Sequence, residues 1–129
     1  MRKMTYLAVF EPVRNGAYSI YFPNVLGCVS YGKNFQEAQA MAQEALELHI
    51  YGLEKDGDEL PVENFSDIQV EAGDIVCAIT IYPDVVKKQM DNRRVKTNCT
   101  IPYHLKRKAE AQGINFSQVL ETALEELCS

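Results

Sequence analysis

The sequence predicts an α+β protein in two parts: an antiparallel sheet of about four strands with one main packed helix, then one strand and two helices. Three observations carry that expectation. Four segments between Met4 and Tyr82 are short, apolar and alternating, with the two-residue period of a strand. Between the third and the fourth, a stretch that starts at Asn34 repeats its apolar residues at helical spacing. From Arg94 to Pro102 the two-residue period returns, and two helical patterns split at Gly113-Ile114-Asn115 follow it.

Each element has a local reason. Met4 to Glu11 sets Tyr6, Ala8 and Phe10 on one face and Thr5, Leu7 and Val9 on the other, apolar enough for a buried strand. Asn15-Gly16 marks a turn. Ala17 to Phe22 places Tyr18, Ile20 and Phe22 together, Pro23-Asn24 and Gly27 interrupt, and Cys28 to Tyr31 is a third strand closed by Gly32. These three read as an antiparallel meander. Asn34 is a good N-cap, and Glu37 three residues later completes a capping box. Projection gathers Phe35, Ala38, Met41, Ala42, Ala45, Leu46, Leu48 and Leu53 on one broad helical face, with Glu44, Glu47, Tyr51 and Glu54 opposite. So wide an apolar face lays the helix flat on the sheet, and its alanines permit close approach. Lys55-Asp56-Gly57-Asp58 ends the helix, Leu60-Pro61 opens an irregular segment, and Ile75 to Tyr82 returns as the fourth strand. The expected organisation is a first domain over 1–84, a polar linker over 85–93, whose Val85 to Met90 stretch also admits a helix, and a second domain over 94–129. In the second domain Pro102 opens a helix, Gly113 stops it, and Asn115 with Gln118 caps the last helix.

Charge divides the chain the same way. Residues 1–84 hold 5 Lys and Arg against 13 Asp and Glu, whereas residues 85–129 hold 8 against 5. An acidic body joined to a basic tail suggests nucleic acid at one end and a different partner at the other. No apolar run approaches membrane-spanning length and the start lacks a signal-like pattern, so the expected location is the cytoplasm, bacterial or archaeal, without a membrane partner. Cys28, Cys77, Cys99 and Cys128 are scattered without paired spacing and read as reduced, mostly buried small hydrophobes.

The segment before Pro102 is the most specific. Its alternation shows Lys96, Asn98 and Thr100 on one face, side chains of a size to reach base edges and phosphates. A lone strand leaves its edges unpaired, so it is expected to pair with a second copy as an antiparallel ribbon suited to the DNA major groove. The competing reading is an edge strand carrying polar residues against aggregation. Lys106, Arg107 and Lys108 fit a DNA-facing or a merely solvated helix face equally well.

The run Tyr18-Ser19-Ile20-Tyr21-Phe22-Pro23-Asn24-Val25-Leu26-Gly27-Cys28 resembles the HicB antitoxin family. Gly32, Glu37-Ala38, Ala45-Leu46 and Asp56-Gly57-Asp58-Glu59-Leu60-Pro61 at these spacings belong to the same resemblance, which covers roughly residues 4–82. The family usually carries Asp where this chain has Asn24. The resemblance implies a degraded RNase H-like core attached to a DNA-binding domain, and a partner of the HicA type, a small basic toxin that cleaves mRNA. Residues 94–127 resemble a ribbon-helix-helix repressor, and Lys96 to Pro102 is similar to the strand of the methionine repressor. That resemblance implies base contacts from Lys96, Asn98 and Thr100, and phosphate contacts from Arg94 and from Asn115, Phe116 and Ser117 at the last helix's N-terminus.

The expected function is therefore that of an antitoxin that binds a HicA-type toxin through its first domain and represses its own operon through operator DNA. The second domain is expected to form a homodimer, and two such dimers on adjacent half-sites would give a tetramer. Toxin contacts are expected at Asn24, Glu44, Glu47, Tyr51 and Glu54, where an acidic helix face can mimic RNA phosphates. An enzyme is not expected. The strand interiors hold no acids, only Glu11 at one end and Asp74 before another, and the Ser and Cys residues lack a His partner. His49 and His104 have no ligands at metal spacing, so neither metal nor cofactor is implied. The alternative is a stand-alone repressor whose first domain senses a small ligand.

Overall fold

The computed structural model describes residues 1–66 and 68–129, which group into two compact units, Met1–Arg93 and Arg94–Ser129. The first is the α+β layer expected. Its elements are β1 (Met4–Pro12), β2 (Tyr18–Tyr21), β3 (Val29–Gly32), α1 (Phe35–Lys55), β4 (Ile75–Ile81) and α2 (Pro83–Asp91). The sheet order is β3-β2-β1-β4, with every neighbouring pair antiparallel. Strands β1 to β3 form the meander, and β4 closes on the free side of β1.

Local chemistry sets the connections. Between β1 and β2, Asn15 (φ 60°) and Gly16 (φ 79°) take the left-handed backbone that this pair tolerates. The Phe22–Cys28 corner is held by its own backbone: Val25 N–H donates to Phe22 O (3.1 Å), Cys28 N–H to Val25 O (3.1 Å) and Phe22 N–H to Cys28 O (3.3 Å). Phe22, Val25 and Cys28 all turn inward and are buried. Burial pushes the Cys28 thiol up to about 11, leaving it an inert core group. Cys99 and Cys128, by contrast, are exposed in the single chain.

Helix α1 starts as expected. The Asn34 side chain accepts the Glu37 N–H at 2.8 Å, and Glu37 accepts the Lys33 N–H at 2.6 Å. It buries Ala38, Ala42, Leu46 and Ile50, a row at four-residue spacing, against Tyr6, Ala8, Phe10, Ile20 and Ile81. Phe35 joins Phe10 and Tyr18 in an aromatic cluster, its ring centroid 5.4 Å from each. Projection placed Met41 and Leu48 on this face, but they stand 37% and 48% exposed, because the sheet meets a narrower strip that Ile50 completes. At the end of β3 a Cβ on Gly32 would lie inside the contact distance of the Ala38 backbone, so this glycine lets strand and helix touch. A Cβ on Gly52, in the body of α1, would meet nothing within 4 Å.

Residues 85–93 were expected as a linker, but Pro83–Asp91 is a helix of the first unit. Pro83 starts it, where a missing N–H costs nothing, and Val86 is buried. Long-range contacts invisible in a sequence window hold it. Arg2 donates from Nε to Asp84 Oδ1 (3.0 Å) and from Nη1 to Glu54 Oε2 (2.9 Å), and Tyr51 donates its hydroxyl to Asp91 at 3.1 Å. One guanidinium fork thus ties the N-terminus, α1 and α2 together.

The second unit holds α3 (Tyr103–Ala111) and α4 (Phe116–Cys128). Gly113, at φ 68°, supplies the left-handed residue after α3, and Asn115 caps α4 by accepting the Gln118 N–H at 3.1 Å. The strand expected over 94–102 is not formed in the single chain, where these residues carry no regular secondary structure. A strand needs a hydrogen-bonded neighbour, and none of the described residues supplies one.

Two predictions follow from this packing. Gly32→Ala should destabilise the chain by about 2 kcal/mol or more through forced overpacking. Gly52→Ala, in open helical space, should stabilise it by about 0.5–1 kcal/mol. Urea unfolding followed by circular dichroism measures both. The Arg2 fork holds the Asp84 carboxyl below its ordinary range, by its hydrogen bonds first. A depressed acid contributes stability above its unfolded-state pKa and loses it as pH falls through the folded value. Arg2→Ala should therefore lower Tm at pH 7, with the difference closing as pH drops through the carboxylate range, as read by thermal melts across pH.

Candidate functional site

The residues singled out from sequence fall into two groups, one per unit. In the first, Asn24, Tyr51 and Glu54 are engaged by the fold itself. The Asn24 amide donates to the Asn64 carbonyl at 2.8 Å, bracing the Phe22–Cys28 corner against the irregular segment. Tyr51 is tied to Asp91, and that hydrogen bond, with burial, raises its phenol above the usual value. Glu54 is the second anchor of the Arg2 fork. Glu44 and Glu47 remain. Glu44 is exposed, and partial burial, then the Glu44 charge, lifts the Glu47 carboxyl above its ordinary value. The acidic helix face is thus two carboxylates available to a partner, with two of its four members used internally.

The opposite side of the sheet went unrecognised in the sequence. Register places Val29 opposite Tyr21, Tyr21 opposite Val9, and Val9 opposite Val76, a row across all four strands on the side away from α1. Leu7 and Ala78 pair beside it on one flank, and Tyr31 with Ser19 on the other. Val29, Tyr31 and Val76 are 67%, 54% and 41% exposed, Tyr21 is half-buried and Val9, at the centre of the row, is buried. Antiparallel sheets with one solvated face normally turn polar residues to water; this face turns valines and tyrosines. Burial, then the charges of Glu11, Asp74 and Glu71, raises the Tyr21 phenol above its usual value. The signal was present in sequence, since both phases of β1 are apolar.

In the second unit Lys96, Asn98 and Thr100 are exposed. Thr97, Cys99, Thr100 and Ile101 line an open groove against Phe116, Val119, Leu120 and Ala123 of α4, and Lys96 and Asn98 stand outside it. Neither helix of this unit buries a residue. Tyr103, Leu105, Val119, Leu124 and Leu127 are all exposed. Arg94 pairs with Glu121 at 3.3 Å, an exposed contact that a phosphate can displace. The Asn115 side chain serves as the helix cap, while Phe116 and Ser117 line the groove beside the free N–H groups of α4's first turn. Lys106 pairs with Glu110 at 3.8 Å, and the Arg107 guanidinium lies 5.9 Å from the centre of the Tyr103 ring. Among the described residues no group of three or more His, Cys, Asp or Glu is arranged to hold a metal ion, and no helix is long and apolar enough to cross a membrane.

Comparison with known proteins places these features in a family. A profile described as HicB-like antitoxin of bacterial toxin–antitoxin systems matches residues 6–122. An uncharacterised 14.9 kDa protein of Haemophilus phage HP1 is 32% identical over 99 residues, covering 77% of this chain and 74% of that protein. Among solved structures, a toxin–antitoxin complex from Streptococcus pneumoniae contains a chain of similar fold, with 21% identity, a TM-score of 0.59 and coverage of 97% of this chain and 99% of that one. The crystal structure of antitoxin HicB3 is similar at 25% identity and a TM-score of 0.53, over 95% of this chain and 96% of that one. The profile spans both units, and the fold likeness extends along nearly the whole chain: this protein belongs to the HicB-like antitoxin family of bacterial toxin–antitoxin systems.

Proposed function

We propose that this antitoxin neutralises a HicA-type mRNA-cleaving toxin by direct binding through the unit Met1–Arg93, and that it represses its own operon through the unit Arg94–Ser129. Family membership supports the first half, together with the acidity of the first unit, which holds 14 Asp and Glu against 8 Lys and Arg. A basic, RNA-binding toxin meets complementary charge there, which speeds encounter and disfavours other partners. Glu44 and Glu47 keep carboxylates free for such a partner, whereas the contacts first expected at Asn24, Tyr51 and Glu54 compete with internal bonds.

The second half rests on one physical observation: thirty-six residues fold into two amphipathic helices and bury none of their apolar side chains. A unit of that size cannot be stable with its apolar face in water. A second copy supplies the missing cover. Pairing residues 94–102 of two chains as an antiparallel ribbon satisfies their backbone, fills the groove under Cys99 and Ile101, and leaves Lys96 and Asn98 outward for base edges; Thr100, which lines the groove in the single chain, joins them once the strand's two-residue alternation forms. Arg94 and the N-terminus of α4, with Asn115, Phe116 and Ser117, then lie where phosphates are expected.

The antitoxin half is tested by mRNA half-life in cells expressing the small basic protein encoded beside this chain, alone and with it. Transcripts should collapse with the neighbour alone and recover on co-expression; a neighbour without effect on RNA would overturn the reading. For the repressor half, Asn98→Ala should weaken operator binding by roughly ten- to one-hundredfold, the value of a bidentate base contact, and leave toxin neutralisation unchanged. Unaltered operator affinity in a gel-shift assay would remove Asn98 from the base-reading set.

A further inference from the structure

The first unit is a single helical layer on a single sheet, and the sheet has two faces. One is filled by α1. The other carries the Val29–Tyr21–Val9–Val76 row, with Val29 and Val76 at its exposed ends and Tyr31 beside it. Solvent does not explain that composition, because a water-facing antiparallel sheet is expected to alternate apolar-in with polar-out. Here both phases of β1 are apolar, Tyr6-Ala8-Phe10 inward and Leu7-Val9 outward. Val9 at the centre of the row is buried, but Val29, Tyr31 and Val76 stand exposed around a half-buried Tyr21, and exposed apolar residues grouped in this way mark a place where something binds. Aromatic residues at its centre and edge suit protein recognition, since tyrosine offers a large apolar contact together with a hydroxyl.

The rim identifies the occupant. Register sets Glu11 diagonally across from Tyr21, Glu71 and Asp74 precede β4, and the charges of all three act on the Tyr21 phenol. Glu11 lies on the same face as the row, two residues along β1 from Val9. Asp74 is held at the entry to β4, where its carboxylate accepts the Glu71 N–H at 3.1 Å. A second copy of this face would set three carboxylates against three carboxylates, a costly arrangement in an interface. A nucleic acid is excluded by the same charges. A cationic protein that sets an apolar patch among its basic groups fits on both counts.

We propose that the outer face of the sheet, at Tyr21, Val29, Tyr31 and Val76, is the surface on which this antitoxin takes its basic protein partner. The inference rests on the toxin-binding reading above and says where on the chain that binding occurs. The apolar row supplies the buried centre of the contact, and Glu11, Glu71 and Asp74 supply the charged rim. Glu44 and Glu47 on α1, the other side of the sheet, are then accessory.

The test uses the full chain and the purified basic toxin encoded beside it, with affinity measured by calorimetry. Val29→Lys combined with Tyr31→Lys alters two exposed positions on edge strand β3, where lysine is compatible with the fold. Its circular dichroism and Tm should match those of the unaltered chain. The expected result is toxin binding at least one-hundredfold weaker in this variant, with Glu44→Lys/Glu47→Lys weakened less than tenfold. Full-affinity binding by the β3 variant overturns the surface while leaving the antitoxin reading intact, and collapse of binding in the α1 variant alone transfers the site to the helix. If the unaltered chain fails to bind toxin, the antitoxin reading falls and this inference with it. If the β3 variant changes the sedimentation of the chain alone and not its toxin affinity, the occupant is a second copy and the proposal is wrong. Should it misfold, Glu11→Lys alone takes its place, with an expected loss of at least tenfold; no loss overturns the proposal.

Discussion

The close approach of α1 to the sheet is the constraint on which the rest of the first unit depends. Gly32 removes the side chain that would otherwise strike the backbone at Ala38, and Ala38 and Ala42 continue the close contact along the helix. With helix and sheet this near, the larger side chains of Phe10, Ile20, Leu46, Ile50 and Ile81 fill what space remains, and the Phe10–Tyr18–Phe35 cluster closes one end. A core built on one helix is thin. It leaves α2 to be held by polar contacts as much as by Val86, which is the work of the Arg2 fork and the Tyr51–Asp91 bond. It also leaves Val29, Tyr31 and Val76 on the second face of the sheet exposed.

That economy has a functional counterpart. Each unit carries apolar surface it does not bury: the first on the outer face of its sheet, the second on every apolar position of α3 and α4. The charges beside the two surfaces differ. The charges of Glu11, Glu71 and Asp74 act on Tyr21 of the sheet row, whereas Arg94, Lys96 and the Lys106–Lys108 run accompany the second unit. Two incomplete surfaces of opposite character on one short chain are consistent with the proposal of a basic protein partner for one and an anionic partner for the other.

Local signals account for much of what could be read in advance. The Asn34 and Asn115 caps, the Asn15-Gly16 turn and the Gly113 stop each depend on a few adjacent residues, and each stands where the sequence placed it. The four strands agree to within one or two residues, because a two-residue alternation records which side is covered. The pattern from Val85 to Met90 admits helix α2 without fixing it, because its stability comes from Arg2, eighty-two residues away from Asp84, and from Tyr51, forty from Asp91. Three members of the expected toxin-contact set have partners of the same distant kind. Asn24, Tyr51 and Glu54 look like free polar side chains until their distant partners are known.

The sequence by itself determined the α+β class, the order of the sheet and helix elements, the main helix with its cap, and the division of charge between the two ends. These depend on side-chain period, backbone preference and composition, which are properties of neighbours in the chain. Only the tertiary structure decided that residues 85–91 close the first unit as a helix, that half of the acidic helix face is consumed internally, and that a row of valines and tyrosines crosses the sheet on its open side. Each of those depends on which strands lie side by side and which charges meet across long loops. Pairing register and long-range contact are set by the packing of the whole chain, and no window of sequence contains them.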